Sequence, residues 1–254
     1  MIVFAEPDER PFLSPLGRTS PVVKLGLAIV WLIGLALTLD PRPPLLLAAV
    51  ALGAGLTLGR IPPARLAVGY APLLGAALGI GLFNALFSGS NADPALAELI
   101  RLGPFRVTEA AAAAGLGLGL RVVAIAATGV VFGLTTDPTH FVDALVVQAH
   151  LPERFAYGAL AAYQAIPRLA DDLTTLRQAR RIRGLPGSWH PRILVGLLVL
   201  AIRHADRLAL AMDARGFGLG RRTLYRPLTW GVADLAVGVG GLAVLGVALG
   251  LTIG

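Results

Sequence analysis

The chain has 254 residues, of which 56% are hydrophobic and only 15% charged, with a mean hydropathy of +0.73. A soluble domain carries about a quarter charged residues, so this composition excludes an ordinary water-exposed globule and points to a membrane protein. The net charge of +7 is almost wholly an arginine effect, since Lys24 is the only lysine, and the absence of cysteine excludes a disulfide framework, a thiolate metal site and a cysteine nucleophile.

At the N-terminus, Glu6, Asp8 and Glu9 come before any apolar run. A secretory signal starts basic and turns apolar at once, so residues 1–20 are expected as a cytoplasmic tail. Four apolar runs follow in the first half: Val22–Leu39, Pro44–Leu58, Leu66–Phe87 and Ala110–Leu134. A fifth, Trp230–Ile253, closes the chain. A span needs roughly 20 apolar residues, which makes the second run a short one. Asp40-Pro41-Arg42-Pro43-Pro44 breaks the first two runs apart, because proline lacks the amide donor and clashes with the preceding turn. Ser88–Pro94 reads as a turn cluster, with Ala95–Arg101 expected as a short interfacial helix. The Ala- and Gly-rich stretch Ala111–Leu120 suits close helix packing in lipid.

Charge sets the expected orientation. The tail carries Arg10, Arg18 and Lys24, the second loop Arg60 and Arg65, and the section Thr135–Leu228 thirteen arginines. The opposite side holds Arg42, Arg101 and Arg106. The positive-inside rule then places the N-terminus and the long section in the cytoplasm and the C-terminus outside. The expected fold class is an all-α membrane protein with about five transmembrane helices plus long cytoplasmic coupling helices. Its expected divisions are a tail (1–20), transmembrane helices 1–4 (21–134), a cytoplasmic section (135–228) and a last transmembrane helix (229–254). Arg121 lies inside the fourth run, where a charge is costly. It reads either as an interface residue or as a sign that the run ends earlier.

The section 135–228 opens on Thr135-Thr136-Asp137-Pro138, a helix start with Asp137 as cap and Pro138 in the first turn. Leu151-Pro152-Glu153 restarts the chain, and Pro167 is expected to interrupt it again. In Arg168–Arg183, Leu169, Leu173, Leu176, Ala179 and Ile182 form one apolar stripe, while Asp171, Asp172 and the arginines take the other faces. Gly184, Pro186 and Gly187 end that helix. A second is expected from Pro191 to Arg215, with Ile193–Ile202 buried all round and Gly216 as its stop. The two helices end alike, in Ile182-Arg183-Gly184 and Ala214-Arg215-Gly216. A helix dipole alone favours a cation at each end. Two matching tips on a membrane protein suggest a docking surface, since a guanidinium offers several donors to a partner's carboxylate or carbonyls.

From Leu134 to Gly218 the sequence resembles the transmembrane T component of energy-coupling factor transporters, the EcfT/CbiQ family of ABC-class importers. The resemblance rests on Thr135-Thr136-Asp137-Pro138, Leu151-Pro152-Glu153-Arg154, Ala165-Ile166-Pro167-Arg168-Leu169 and, most specifically, the stretch Arg203-His204-Ala205-Asp206-Arg207 through Ala214-Arg215-Gly216-Phe217. The first half of the chain matches only in hydropathy. The resemblance implies that two Ala-Arg-Gly signatures dock into grooves on two cytoplasmic ABC ATPase subunits, with Arg183 and Arg215 as the docking arginines. Ile182 stands where that family has alanine. It further implies a non-catalytic scaffold of a bacterial or archaeal cell membrane. That scaffold would couple ATP hydrolysis to reorientation of a substrate-binding S component for uptake of a vitamin or a transition-metal ion, and would need no cofactor of its own.

Other features carry less. Asp171 and Asp172 point about 100° apart on a helix and suit a solvated face better than acid–base catalysis. His140, His150, His190 and His204 lack metal-ligand spacing. No phosphate-binding Gly-x-x-x-x-Gly-Lys-Ser/Thr loop is present, so ATP is expected to be hydrolysed by other chains. The competing classes are an intramembrane enzyme using arginines for an anionic substrate, and a basic surface protein recruiting acidic lipid or nucleic acid. The reading adopted has the lipid bilayer and no nucleic acid among its partners.

Overall fold

In a computed structural model, residues 11–38, 40–93, 95–102, 105–185, 190–218, 228, 230 and 231–252 are described. The tail readings at Glu6, Asp8, Glu9 and Arg10, and the stops at Pro186 and Gly187, lie outside them. The elements are α1 (Pro15–Arg18), α2 (Pro21–Ala36), α3 (Arg42–Thr57), α4 (Pro63–Phe87), a 3-10 turn (Gly89–Ala92), β1 (Glu98–Leu102), β2 (Phe105–Thr108), α5 (Glu109–Thr135), α6 (Pro138–Val147), α7 (Glu153–Ile182), α8 (Pro191–Ala214) and α9 (Val232–Gly250). The protein is an all-α membrane protein apart, among the described residues, from one hairpin. The chain divides into two compact units, Met1–Phe141 with Thr229–Gly254, and Val142–Leu228.

In the first unit, α4 with its 3-10 turn, α5 and α9 are each long and apolar enough to cross a bilayer. The first two apolar runs become 16-residue helices. At 1.5 Å per residue each is about 24 Å long, shorter than a hydrocarbon core of about 30 Å. The prolines and glycines that bound these two runs set that length.

Packing follows from small residues. Gly34 of α2 receives Leu245 of α9, and Gly241 of α9 receives Leu27 of α2. A Cβ at either glycine would come within 2.6 Å and 2.3 Å of those leucines, respectively. On α4 and α5, a Cβ at Gly115 would lie 2.6 Å from the Gly81 carbonyl and 2.9 Å from Ala85 Cβ. Backbones approach this closely only where side chains are absent. Around these seams Trp31, Leu35, Leu47, Tyr70, Ala124 and Ala127 form the core. The two aromatic tips are satisfied by backbone: Trp31 Nε1 donates to the Gly241 carbonyl at 2.9 Å and Tyr70 OH to that of Val123 at 2.9 Å. Outward, Val68, Leu78, Leu82 and Phe83 of α4 are exposed, as a lipid-facing surface requires.

Buried charges sit at helix ends. The Asp234 carboxylate accepts the Gly231 amide at 2.8 Å, at the start of α9, and the Ser20 amide, at the start of α2. Lys24 donates to the carbonyl of Thr135, the last residue of α5, at 3.1 Å. Each charge meets the helix end of opposite partial charge. Arg121 follows the same rule: its Nη2 donates to the Thr38 carbonyl beyond the end of α2. It lies well inside α5, so it is an interface residue and not the sign of a misplaced boundary.

Three expectations are corrected. Ala95–Arg101 is not a helix: Glu98–Leu102 pairs antiparallel with Phe105–Thr108. So short a segment is marginal as a helix on its own, and the hairpin is pinned instead. Asn91 accepts the Thr108 amide at 3.0 Å, and Arg106 donates to the Asp93 and Leu96 carbonyls and pairs with Glu98 at 3.2 Å. Pro167 does not interrupt α7, which runs unbroken from Glu153 to Ile182. One lost rung is outweighed by helix-favouring neighbours on both sides. Finally, the stretch Ile193–Ile202 is not buried all round. Ile193 is buried, whereas Leu194, Val195, Leu198, Val199 and Ile202 are exposed.

The α4–α5 seam gives a direct prediction. Gly115→Leu should lower the stability of the purified protein by about 1–3 kcal/mol through overpacking, seen as a lower melting temperature in detergent. Gly129→Ala, on the same helix with open space around its Cβ position, should be neutral or slightly stabilising. Equal effects from both would rule out close packing at Gly115.

Candidate functional site

The second unit is built on α6 from Val142 onward, α7 and α8. Asp137 Oδ1 accepts the amides of Thr139 at 2.8 Å and His140 at 2.9 Å, which starts α6 at the Asp-Pro step. Val142, Ala156 and Leu160 then hold α6 against α7. Tyr157 OH donates to Asp143 Oδ1 at 2.8 Å. Burial first, and then Asp143 and Glu153, push the Tyr157 phenol up to about 12, so it keeps its proton and its bond at physiological pH.

The six candidate residues occupy two helix ends of the same design. In α7, Ile182 is the last helical residue, Arg183 the C-cap and Gly184 the following residue at φ +68°. The Gly184 amide donates to the Arg181 carbonyl at 3.1 Å and the Leu185 amide to that of Arg180 at 3.2 Å. In α8, Ala214, Arg215 and Gly216 hold the same positions, with Gly216 at φ +69°. There the Gly216 amide donates to the Asp213 carbonyl at 2.9 Å and the Phe217 amide to that of Met212 at 3.0 Å. Both sets are the paired bonds of a Schellman end, which requires a left-handed residue after the C-cap and therefore favours glycine. Arg-Gly is thus the local instruction for a helix that stops with its C-cap arginine at the tip. Arg183 and Arg215 are exposed, and Ile182 is 86% exposed.

The helices carrying these tips are antiparallel. Near one end of the pair, Gly196 of α8 faces Leu176 of α7, with room for ordinary contact at 3.5 Å. The apolar stripe Leu169, Leu173, Leu176 and Ala179 is half-buried. At the other end, Arg154 in the first turn of α7 donates from Nη2 to the Gly218 carbonyl at 3.2 Å. That bond lies three residues past Arg215, so the second tip sits beside the start of α7. Arg183 is 29 residues further along, about 44 Å of helix rise. The two tips are therefore separate points at opposite ends of one hairpin.

Arg154 was part of a recognisable sequence pattern but had no assigned role. A cation in the first turn opposes the helix dipole, and that misfit was the available signal that its side chain serves something else. Lys24, counted among tail charges, proves to be buried inside the first unit. Its signal was equally plain: an isolated lysine in an apolar helix, with Asp234 in another.

A family model described as cobalt transport protein, CbiQ, matches residues 14–225. Among similar proteins, the energy-coupling factor transporter transmembrane protein EcfT of Limosilactobacillus fermentum is 30% identical over 240 residues, covering 87% of this chain and 86% of that one. The EcfT of Lactococcus lactis is 27% identical over 238 residues, covering 87% of each. A Bifidobacterium longum protein named as an ABC transporter ATP-binding protein is 31% identical over 208 residues. That match takes 73% of this chain but only 26% of the longer protein, and the match to the EcfT of Listeria innocua takes 58% of that relative.

The tip geometry depends on glycine. Gly184→Ala and Gly216→Ala should each destabilise its own helix end by about 1 kcal/mol, the cost of a left-handed residue with a side chain. Amide exchange at Leu185 and Phe217, respectively, should then accelerate about fivefold. Unchanged exchange at both would remove the Schellman assignment.

Proposed function

We propose, for a chain that belongs to the CbiQ family of cobalt transport proteins and is a transmembrane component of energy-coupling factor transporters, the role of mechanical coupler between two ATPases and a substrate-binding subunit. The observation that carries the proposal is the pair of exposed Arg-Gly tips of identical geometry at opposite ends of one helical hairpin. Two separate points suit two partner chains better than one. The similarity to a longer protein named for ATP binding supports ABC ATPases as those partners.

In this reading Arg183 and Arg215 each enter a groove on one ATPase, presenting planar donors to carboxylate or carbonyl groups. ATP binding draws the ATPases together. The tips follow, because a Schellman end and its helix transmit force as one rigid element. The α7–α8 hairpin changes its geometry, and its exposed apolar surface carries the change to the substrate-binding S component, which releases its cargo inside. The cargo is a vitamin or a transition-metal ion, held by that other subunit. The arginine-rich section lies on the cytoplasmic side, as does the N-terminus. The chain is a transport subunit, with ATP hydrolysis assigned to its partners. Ile182, in place of the smaller residue the resemblance implies, adds apolar area at the first tip.

The test is charge reversal at the tips. Arg183→Glu with Arg215→Glu should abolish ATP-dependent uptake and weaken ATPase binding by about 100-fold or more, since two charge-assisted contacts worth about 1.5–3 kcal/mol each are lost. Both positions are exposed, so the variant should insert and purify normally. Normal assembly and transport by the double variant would refute the docking assignment. Misinsertion of Arg215→Ala alone would reduce that arginine to a helix-capping role.

A further inference from the structure

Between α2, α3, α5 and α9 lies a cavity of about 410 Å³, a volume typical of ligand sites. Its direction can be read from the residues that line it. It runs from Lys24 to Trp31 on α2, from Leu58 to Val50 on α3, from Thr135 to Thr128 on α5 and from Ala233 to Val244 on α9. Those intervals are seven to eleven residues, so the cavity is a slot about 10–16 Å long, parallel to the helices. All four intervals begin at the same end of the bundle.

The slot is apolar along its length and cationic at that end. Its threonines do not offer their hydroxyl protons to it: Thr19, Thr128 and Thr135 donate to the carbonyls of Leu16, Ala124 and Val131. Lys24 is a cation in its wall; one of its three ammonium donors goes to Thr135, and the Asp234 carboxylate is its acidic neighbour. Leu16 and Leu58 line the same end and are joined by the Leu16 amide, which donates to the Leu58 carbonyl at 3.2 Å. Two residues beyond each stands an exposed arginine, Arg18 and Arg60.

An apolar cavity does not hold water, and in a bilayer the abundant material of this shape is an acyl chain. We infer that this slot holds one acyl chain of an anionic phospholipid, with Arg18 and Arg60 binding the phosphate and Lys24 the ester region. A free fatty acid would need only Lys24. Arg18 and Arg60, exposed and each two residues past a lining residue, instead match a phosphate, since a guanidinium offers it several donors. The bound chain completes packing that four helices leave open. This inference is independent of the coupling role, and its readout is lipid content, not transport.

The experiment uses the full chain in nanodiscs of equal phosphatidylglycerol and phosphatidylethanolamine, followed by stepwise delipidation and native mass spectrometry. The wild type should retain one phosphatidylglycerol per chain, favoured about tenfold or more over phosphatidylethanolamine. Ala54→Phe, which fills the slot from α3, should lose the retained lipid. Arg18→Gln with Arg60→Gln should keep a lipid but lose the preference for phosphatidylglycerol. Retention of no lipid, of a fatty acid, or of both phospholipids equally by the wild type would overturn the inference. If Ala54→Phe fails to insert, the arginine variant decides alone, and an unchanged preference in it is contradictory.

Discussion

Every helix end leaves backbone groups without an intrahelical partner, and in lipid no water is present to satisfy them. This constraint accounts for where the protein spends its few charges. Asp234 serves the starts of two helices, Lys24 the end of a third, and Arg121 donates to a carbonyl beyond the end of α2. A carboxylate or an ammonium placed elsewhere in such a bundle would carry a desolvation cost with nothing to offset it. Placed at helix ends, these groups fix how α2, α5 and α9 meet. Unpaired backbone groups at helix ends also shape the second unit, where the ends of α7 and α8 close through glycine and present arginine.

The proposed coupling role follows from how those two ends are held. A hairpin with a tip at each extremity can receive force at two points and deliver it along its length. The Arg154–Gly218 bond matters here because it fastens the second tip to the opposite helix. In the proposed role, movement at Arg215 would thereby be felt at the start of α7, and movement at Arg183 at its end. The exposed side chains Leu194, Val195, Leu198, Val199 and Ile202 give the hairpin an apolar surface.

Much of this was legible in the sequence because it rests on local rules. Proline breaks located α2 and α3, Asp137-Pro138 located the start of α6, and Arg-Gly located both tips. What was not legible depends on partners distant in sequence. Ala95–Arg101 forms a strand because Phe105–Thr108 and Asn91 are there to receive it. Pro167 is carried within a helix because the residues on each side sustain it. Ile193–Ile202 looked like core because composition does not say how many layers a unit has; with α7 as its packing partner in the second unit, one face of α8 stays open. Lys24 looked like a tail charge because its partners, Thr135 and Asp234, lie more than a hundred residues away.

The central claim is that the two tips belong to one hairpin whose geometry answers to ATP. The chain has no cysteine, so spin labels can be placed uniquely at Gln178 near the first tip and Leu210 near the second, both exposed. The distance between them should be measured by pulsed electron resonance in the assembled transporter, with and without ATP. The account predicts a distance distribution that shifts on ATP binding and reverts after hydrolysis. An identical distribution in both states, in a complex that transports, would contradict it.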